Sequence, residues 1–188
     1  GYEIRISRCA NYADISGRNV SAAGGIFGQQ EENVYIDQCF NVGKVDANSA
    51  VGGILGRAFD GTTVENSFNM GEVPWVSGKT LLAGIVGQKE NKSKKIKNCY
   101  NVGTTGWGII GGEDDKNVDC QNCYYLDTAS NGDMKKSGSV SKNATQMRQK
   151  GTYSGYSTDI WLFGTDGQGA PTLKNNKIAS GYPNPLSQ

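Results

Sequence analysis

The chain has 188 residues, enough for one or two domains, and its 27 glycines (27/188, about 14%) are roughly twice the usual share. Lys and Arg against Asp and Glu give 19 − 18 = +1, without the cationic surplus that a nucleic-acid or polybasic membrane partner needs. Histidine is absent, which excludes Ser-His-Asp and Cys-His catalysis and His-ligated zinc, and no apolar run is long enough for a transmembrane helix.

Two short phrases alternate along the chain. The first opens weakly as Ile6-Ser7-Arg8-Cys9-Ala10-Asn11-Tyr12-Ala13. The second follows as Gly24-Gly25-Ile26-Phe27-Gly28. The pair then recurs as Ile36-Asp37-Gln38-Cys39-Phe40-Asn41-Val42-Gly43 with Gly52-Gly53-Ile54-Leu55-Gly56. It recurs again as Val64-Glu65-Asn66-Ser67-Phe68-Asn69-Met70-Gly71 with Ala83-Gly84-Ile85-Val86-Gly87. A further copy is Ile96-Lys97-Asn98-Cys99-Tyr100-Asn101-Val102-Gly103 with Trp107-Gly108-Ile109-Ile110-Gly111, and Cys120-Gln121-Asn122-Cys123-Tyr124-Tyr125-Leu126 closes the series. Counted at Cys9, Cys39, Ser67, Cys99 and Cys123, the steps are 30, 28, 32 and 24.

The segments are too short and too broken by glycine for helical repeats, and a propeller blade needs about 40 residues. Their β-branched and aromatic content, with Asn, Gly, Asp and Ser at the joins, predicts strands and turns. The fold predicted is all-β: a right-handed parallel β-solenoid of about four to five coils over residues 1–126. Ile26, Ile54, Ile85 and Ile109 then form an inward ladder, and Cys9, Cys39, Ser67, Cys99 and Cys123 a second one. Asn41, Asn69 and Asn101 suit an amide ladder, and Gly43, Gly71 and Gly103 a positive-φ corner. Ile96 and Cys99 are three apart, so a bend falls inside the phrase. Phe40, Phe68, Tyr100 and Tyr124 share one position and form either core or an outward aromatic stripe, the latter a candidate contact for sugar rings or a protein partner.

The glycine phrase followed by Asn-Cys-Tyr-Asn-x-Gly, over residues 6–126, resembles the GLUG-motif repeats of bacterial surface proteins, also found beside the catalytic part of IgA1-protease-type metallopeptidases. The resemblance implies an extracellular, cell-surface solenoid segment of a larger protein, a stalk or recognition region without its own activity. It departs from the pattern in the first copy, where Ala10 replaces the aromatic and no glycine follows Tyr12.

The serine at position 67 predicts that the cysteine position wants a small side chain, so a ladder of free thiols is expected; a bridge between adjacent coils or with Cys120 is the other arrangement. Cys120 and Cys123 are half a zinc site at most, and no metal or other cofactor is expected. The acidic turn Glu113-Asp114-Asp115, with Asp119, reads as a solvated loop or a calcium site. Asp37, Glu65 and Lys97 share a position of mixed charge, read as an exposed strip, and Lys92, Lys94, Lys95 and Lys97 form a basic turn.

After Leu126 a cap over the open last coil is expected at residues 127–175, with one short helix over 141–151, Ser141 as N-cap and Gly151 as stop. Trp161 is predicted to bury against Leu173, and residues 176–188 read as a linker or tail. The function expected is a non-catalytic extracellular module for presentation or adhesion, with host glycan or surface protein as partner, no nucleic acid, no membrane insertion, and further domains in the parent chain. A carbohydrate-active solenoid enzyme is the first alternative, and a calcium-dependent adhesin the second.

Overall fold

The computed structural model describes residues 3–29, 33–76, 81–89, 94–112, 118–131 and 138–187. It is mostly strand, and nearly all the strand pairs are parallel between segments one sequence period apart. A five-stranded sheet joins Glu3–Ser7, Asn33–Asp37, Thr63–Glu65, Lys94–Lys97 and Val118–Gln121 in chain order. A second sheet of six joins Ala10–Asn11, Phe40–Asn41, Phe68–Asn69, Tyr100–Asn101, Tyr124–Leu126 and Val140–Lys142. Further parallel sheets link Ile15–Gly17 with Val45–Ala47, Ala22–Gly24 with Ala50–Gly52 and Leu82–Ala83, and Phe27–Gln29 with Leu55–Ala58 and Val86–Lys89. Each period therefore lays its strands against those of the previous one, as the repeat predicts for a β-helix.

Register explains the inner columns. In the first sheet, Ile6, Ile36, Val64, Ile96 and Cys120 are successive partners. Alternate residues point to opposite faces of a strand, so Arg5, Tyr35, Thr63 and Lys95 face out on the same rungs. The core that fills the windings contains Ile36, Cys39, Ile54, Val64, Ile85, Ile96, Cys99, Ile109 and Cys123, with Ile26 packed against its edge. Backbone bonds run up the isoleucine column, from Ile26 N–H to Ile54 O at 3.1 Å, Ile54 N–H to Ile85 O at 3.2 Å and Ile85 N–H to Ile109 O at 3.0 Å.

The bend inside the phrase is the residue before the Cys/Ser position. Arg8, Gln38, Asn66, Asn98 and Asn122 have φ of 55°, 54°, 48°, 51° and 51°, the left-handed region that Asn tolerates best among non-glycine residues. One such residue turns the chain between the first and second sheets and brings Ile96 and Cys99 into the same core. Gly43, Gly71 and Gly103 do not supply the positive-φ corner expected of them. They are required because a Cβ would run into the carbonyl of Ala13, Gly43 or Gly71 one winding away.

The C-terminal segment differs most from expectation. It lies on the last winding where Val140–Lys142 pairs with Tyr124–Leu126, and from there it runs along the flank of the second sheet. Ser141 does not cap a helix; it lies in Val140–Lys142, which extends the second sheet beyond Tyr124–Leu126. The cap is Asn143: its Oδ1 accepts from Gln146 N–H at 2.9 Å while Gln146 Oε1 accepts from Asn143 N–H at 3.1 Å, a reciprocal capping box. The α-helix is only Ala144–Met147, and Gly151 lies in the 3-10 turn Lys150–Tyr153 that follows. Trp161 and Leu173 pair in a short antiparallel ladder and are fully buried. Residues 176–187 are docked, not free. Asn176 Nδ2 donates to the carbonyls of Cys9 at 3.0 Å and Gln38 at 2.9 Å, Ala179 N–H donates to Tyr12 Oη at 2.8 Å, and Tyr182 lies 4.6 Å from the Tyr12 ring. The strap thus starts at the last rung of the second sheet and returns to the first.

Candidate functional site

The repeat's most regular side chains are engaged with one another. Asn11, Asn41, Asn69 and Asn101 form a continuous amide column, each Nδ2 donating to the next Oδ1 at 2.8 Å. Each Nδ2 also donates to the carbonyl two residues on, from 2.7 Å at Gly43 to 3.0 Å at Gly103. The last donor finds Thr105 Oγ1 at 3.2 Å, because Tyr125 stands where the next Asn would be. The second phrase exists for this column: a Cβ on Gly25, Gly53 or Gly84 would overlap Asn41, Asn69 or Asn101, and one on Gly108 would overlap Tyr125.

The cysteine position works similarly. Cys39 Sγ, Ser67 Oγ, Cys99 Sγ and Cys123 Sγ each donate to the carbonyl two residues before, at 3.3, 2.8, 3.3 and 3.4 Å. Ser67 Oγ and Cys39 Sγ also accept from the backbone N–H of Cys39 and Cys9 one winding away, at 3.1 and 3.4 Å. A small side chain carrying S–H or O–H is what this geometry asks for, so serine and cysteine interchange. None of the five cysteines is in a disulfide; Cys9 is exposed and the other four are buried. Burial pushes the Cys39 thiol up to about 12 and Cys99 well above its ordinary range, holding both as unreactive thiols.

The aromatic column is covered. Phe40, Phe68 and Tyr100 stack with centroids 5.0 Å apart and rings 6° and 4° from parallel. They point away from the winding core but meet the strap, where Trp161 lies 6.1 Å from Phe68 and 5.8 Å from Tyr100 and Tyr153 lies 5.8 Å from Tyr100. Tyr100 Oη donates to Pro171 O at 2.6 Å, and all three column residues are fully buried. Tyr124 is half-buried, 5.6 Å from Tyr153. Phe40, Phe68 and Tyr100 therefore offer no open face to a ligand, because residues 143–187 occupy it.

One open surface is the outer face of the first sheet. Arg5 stacks 5.1 Å over the Tyr35 ring and pairs with Glu3 at 2.6 Å. Tyr35 Oη donates to Glu65, whose partner in register is Asp37. Partial burial, then the bond to Glu65 and the charges of Glu65 and Asp37, push the Tyr35 hydroxyl above its ordinary range. Asp37 accepts from Gln38 Nε2 and Asn66 Nδ2, both at 2.8 Å. Asn98 and Asn122 continue that second amide series at 3.1 and 3.0 Å. Sequence reasoning reached Asp37 and Glu65 as a shared position but missed Tyr35 beside them; alternation along Asn33–Asp37 was the available signal.

Among the described residues, no three His, Cys, Asp or Glu side chains gather as a possible metal site. Glu113, Asp114 and Asp115 lie outside the described residues, as does Lys92; Asp119 is exposed and takes two bonds from Gln121 Nε2, at 3.0 and 2.9 Å. No described helix is long and apolar enough to cross a membrane.

One solved structure similar to this chain is described as a "putative immunoglobulin A1 protease" from Bacteroides ovatus, with a TM-score of 0.60 and 20% sequence identity. The match covers 92% of this chain and 58% of that one, so this chain spans a little over half of its structural neighbour. At that identity the likeness is one of fold. No protein-family model matches, so the resemblance to GLUG repeats rests on the repeated residues themselves. No curated protein matches in sequence.

Proposed function

We propose that this chain is a non-catalytic, extracellular β-solenoid module of a bacterial surface protein: right-handed, of four to five coils, holding or presenting other domains and recognising a host glycan or surface protein on an exposed flank. The observation that carries this reading is how the repeat is used. Asn, Cys/Ser, Ile and aromatic positions are each consumed by contacts with their own copies or with the strap. Sameness between copies is therefore architectural, and the positions that vary lie outside, where recognition would be. The fold likeness to a chain named for an immunoglobulin protease supports an extracellular setting.

A carbohydrate-active enzyme is the competing reading, favoured by the adjacent rungs of Asp37 and Glu65 beside Tyr35. That pair is engaged by amides and a phenol. Incubation with a panel of neutral and acidic polysaccharides, followed by end-group and unsaturated-product assays, separates the two. No turnover, with retained binding to a glycan or protein array, is the outcome expected. Turnover abolished by Glu65→Gln would overturn the non-catalytic reading.

A further inference from the structure

On one flank, Ile15–Gly17 and Val45–Ala47 pair in parallel with Ser16 opposite Asp46 and Gly17 opposite Ala47. Val45 and Ala47 are buried, so by alternation Ser16 and Asp46 point outward. Arg18 and Asn48 follow two residues later on the same side, and all four are exposed. The result is a two-by-two polar array, Ser16 and Arg18 on one rung, Asp46 and Asn48 on the next. With Gly17 these residues line a surface cavity of about 330 Å³, within the size range of small-ligand sites. Val20 packs directly on Gly17 and is 37% exposed, adding an apolar surface beside the cavity.

Its charge has a direction. Lys44 Nζ lies 3.7 Å from Asp46 Oδ2 and 4.0 Å from Glu72 Oε2, so the one acid in the cavity shares a counter-ion with a neighbouring acid. Arg18 has no acidic partner among the described residues. The lining therefore offers an uncommitted guanidinium, an amide, a hydroxyl and a carboxylate partly screened by Lys44, set a strand spacing apart. A guanidinium takes a carboxylate through two parallel N–H bonds. Asp, Asn and Ser side chains match neighbouring hydroxyls, each of which both donates and accepts.

We propose that this cavity binds an acidic sugar unit, a sialate or a uronate, with its carboxylate on Arg18 and its hydroxyls on Asp46, Asn48 and Ser16. The proposal rests on the reading of the chain as a recognition module and gives that reading a site and a ligand class.

The test is binding of the intact 188-residue chain to immobilised sialyllactose, to an oligosaccharide alternating glucuronate with a neutral sugar, and to lactose. Arg18→Ala, Arg18→Lys and Asp46→Asn are compared with Arg5→Ala, an exposed arginine on another face, and melting curves confirm folding. One acidic probe is expected to bind, more weakly as salt rises, and lactose not to. Arg18→Ala should weaken binding at least about tenfold, Arg18→Lys less, and Arg5→Ala not at all. Which acidic probe binds distinguishes sialate from uronate. Equal binding of lactose, or an acidic probe held unchanged by Arg18→Ala, overturns the proposal. If neither acidic probe binds while a broader array shows other glycans or a protein bound, the site falls and the recognition reading stands. If nothing binds at all, both fall and only the presenting role remains.

Discussion

Asn69 shows how much one residue can carry in this fold. Its amide donates to Asn101 and to Gly71 O and accepts from Asn41 and from Gly71 N–H. Replacement by alanine strands buried groups on both neighbouring windings, and each such group costs about 1–3 kcal/mol. Chemical denaturation of Asn69→Ala should therefore show a loss of roughly 3 kcal/mol or more. Gly53 is the complementary case, since a Cβ there overlaps the Asn69 side chain, whereas one on Gly151 meets nothing within 4 Å. Gly53→Ala should cost on the order of 1–3 kcal/mol by overpacking; Gly151→Ala should stay within about 0.5 kcal/mol. Equal effects would mean that the amide column is not where the glycines make room for it. The thiols give a third contrast. At pH 8 in the native state, Cys9 should react with a thiol reagent while Cys39 and Cys99 stay silent until unfolding. Cys39 is held protonated to about pH 12 against 9.0 for a free thiol. The unfolded state loses that proton first, so stability falls as pH rises from about 9 toward 12 and is unaffected by this group below that window.

At the scale of elements, the strap decides what the aromatic column is for. Without it, Phe40, Phe68 and Tyr100 would present an exposed apolar stripe of the kind that marks an interaction site or an aggregation hazard. Truncation before Ala144 should expose that stripe, measured as strong binding of a hydrophobic dye and loss of monodispersity. Removing only residues 176–187 should uncover Tyr12 and lower the melting temperature while leaving the strand signal in circular dichroism. The strands were largely legible from sequence because a ladder writes itself into the chain as repeated residue types: Ile36, Val64 and Ile96 recur because they share a column. The strap was not legible in its placement. Trp161 and Leu173 signalled burial, but nothing in a non-repeating segment says which face of the stack it meets. The helix cap falls two residues after Ser141, at Asn143, for a related reason. Ser141 and Asn143 are both competent caps, and the choice was made by Val140–Lys142 pairing with Tyr124–Leu126, a tertiary contact that local propensity does not contain. The left-handed residue before the Cys/Ser position was legible only as a need for a bend, since Arg8 and Gln38 carry no sign of positive φ even though Asn66, Asn98 and Asn122 do.

Taken whole, the molecule is a column of like residues held from the side by its own C-terminal segment. The inner face repeats and the outer faces vary, which puts stability and recognition on different residues. Stability should respond to Ile85→Ala, a fully buried truncation, by about 2–5 kcal/mol, and hardly to Lys95→Ala on the outer face. The candidate site was less legible than the fold because recognition residues such as Arg18 and Asn48 do not recur and leave no periodic signal. The column itself is tested most directly by spin labels on Thr63 and Lys95, register partners on neighbouring strands of the first sheet, introduced as cysteines with Cys9 replaced by serine. Neighbouring parallel strands lie about 4.8 Å apart, so strong dipolar broadening of the doubly labelled protein relative to the two single labels is expected. A doubly labelled spectrum equal to the sum of the single ones would mean that these positions, 32 residues apart in sequence, do not stack.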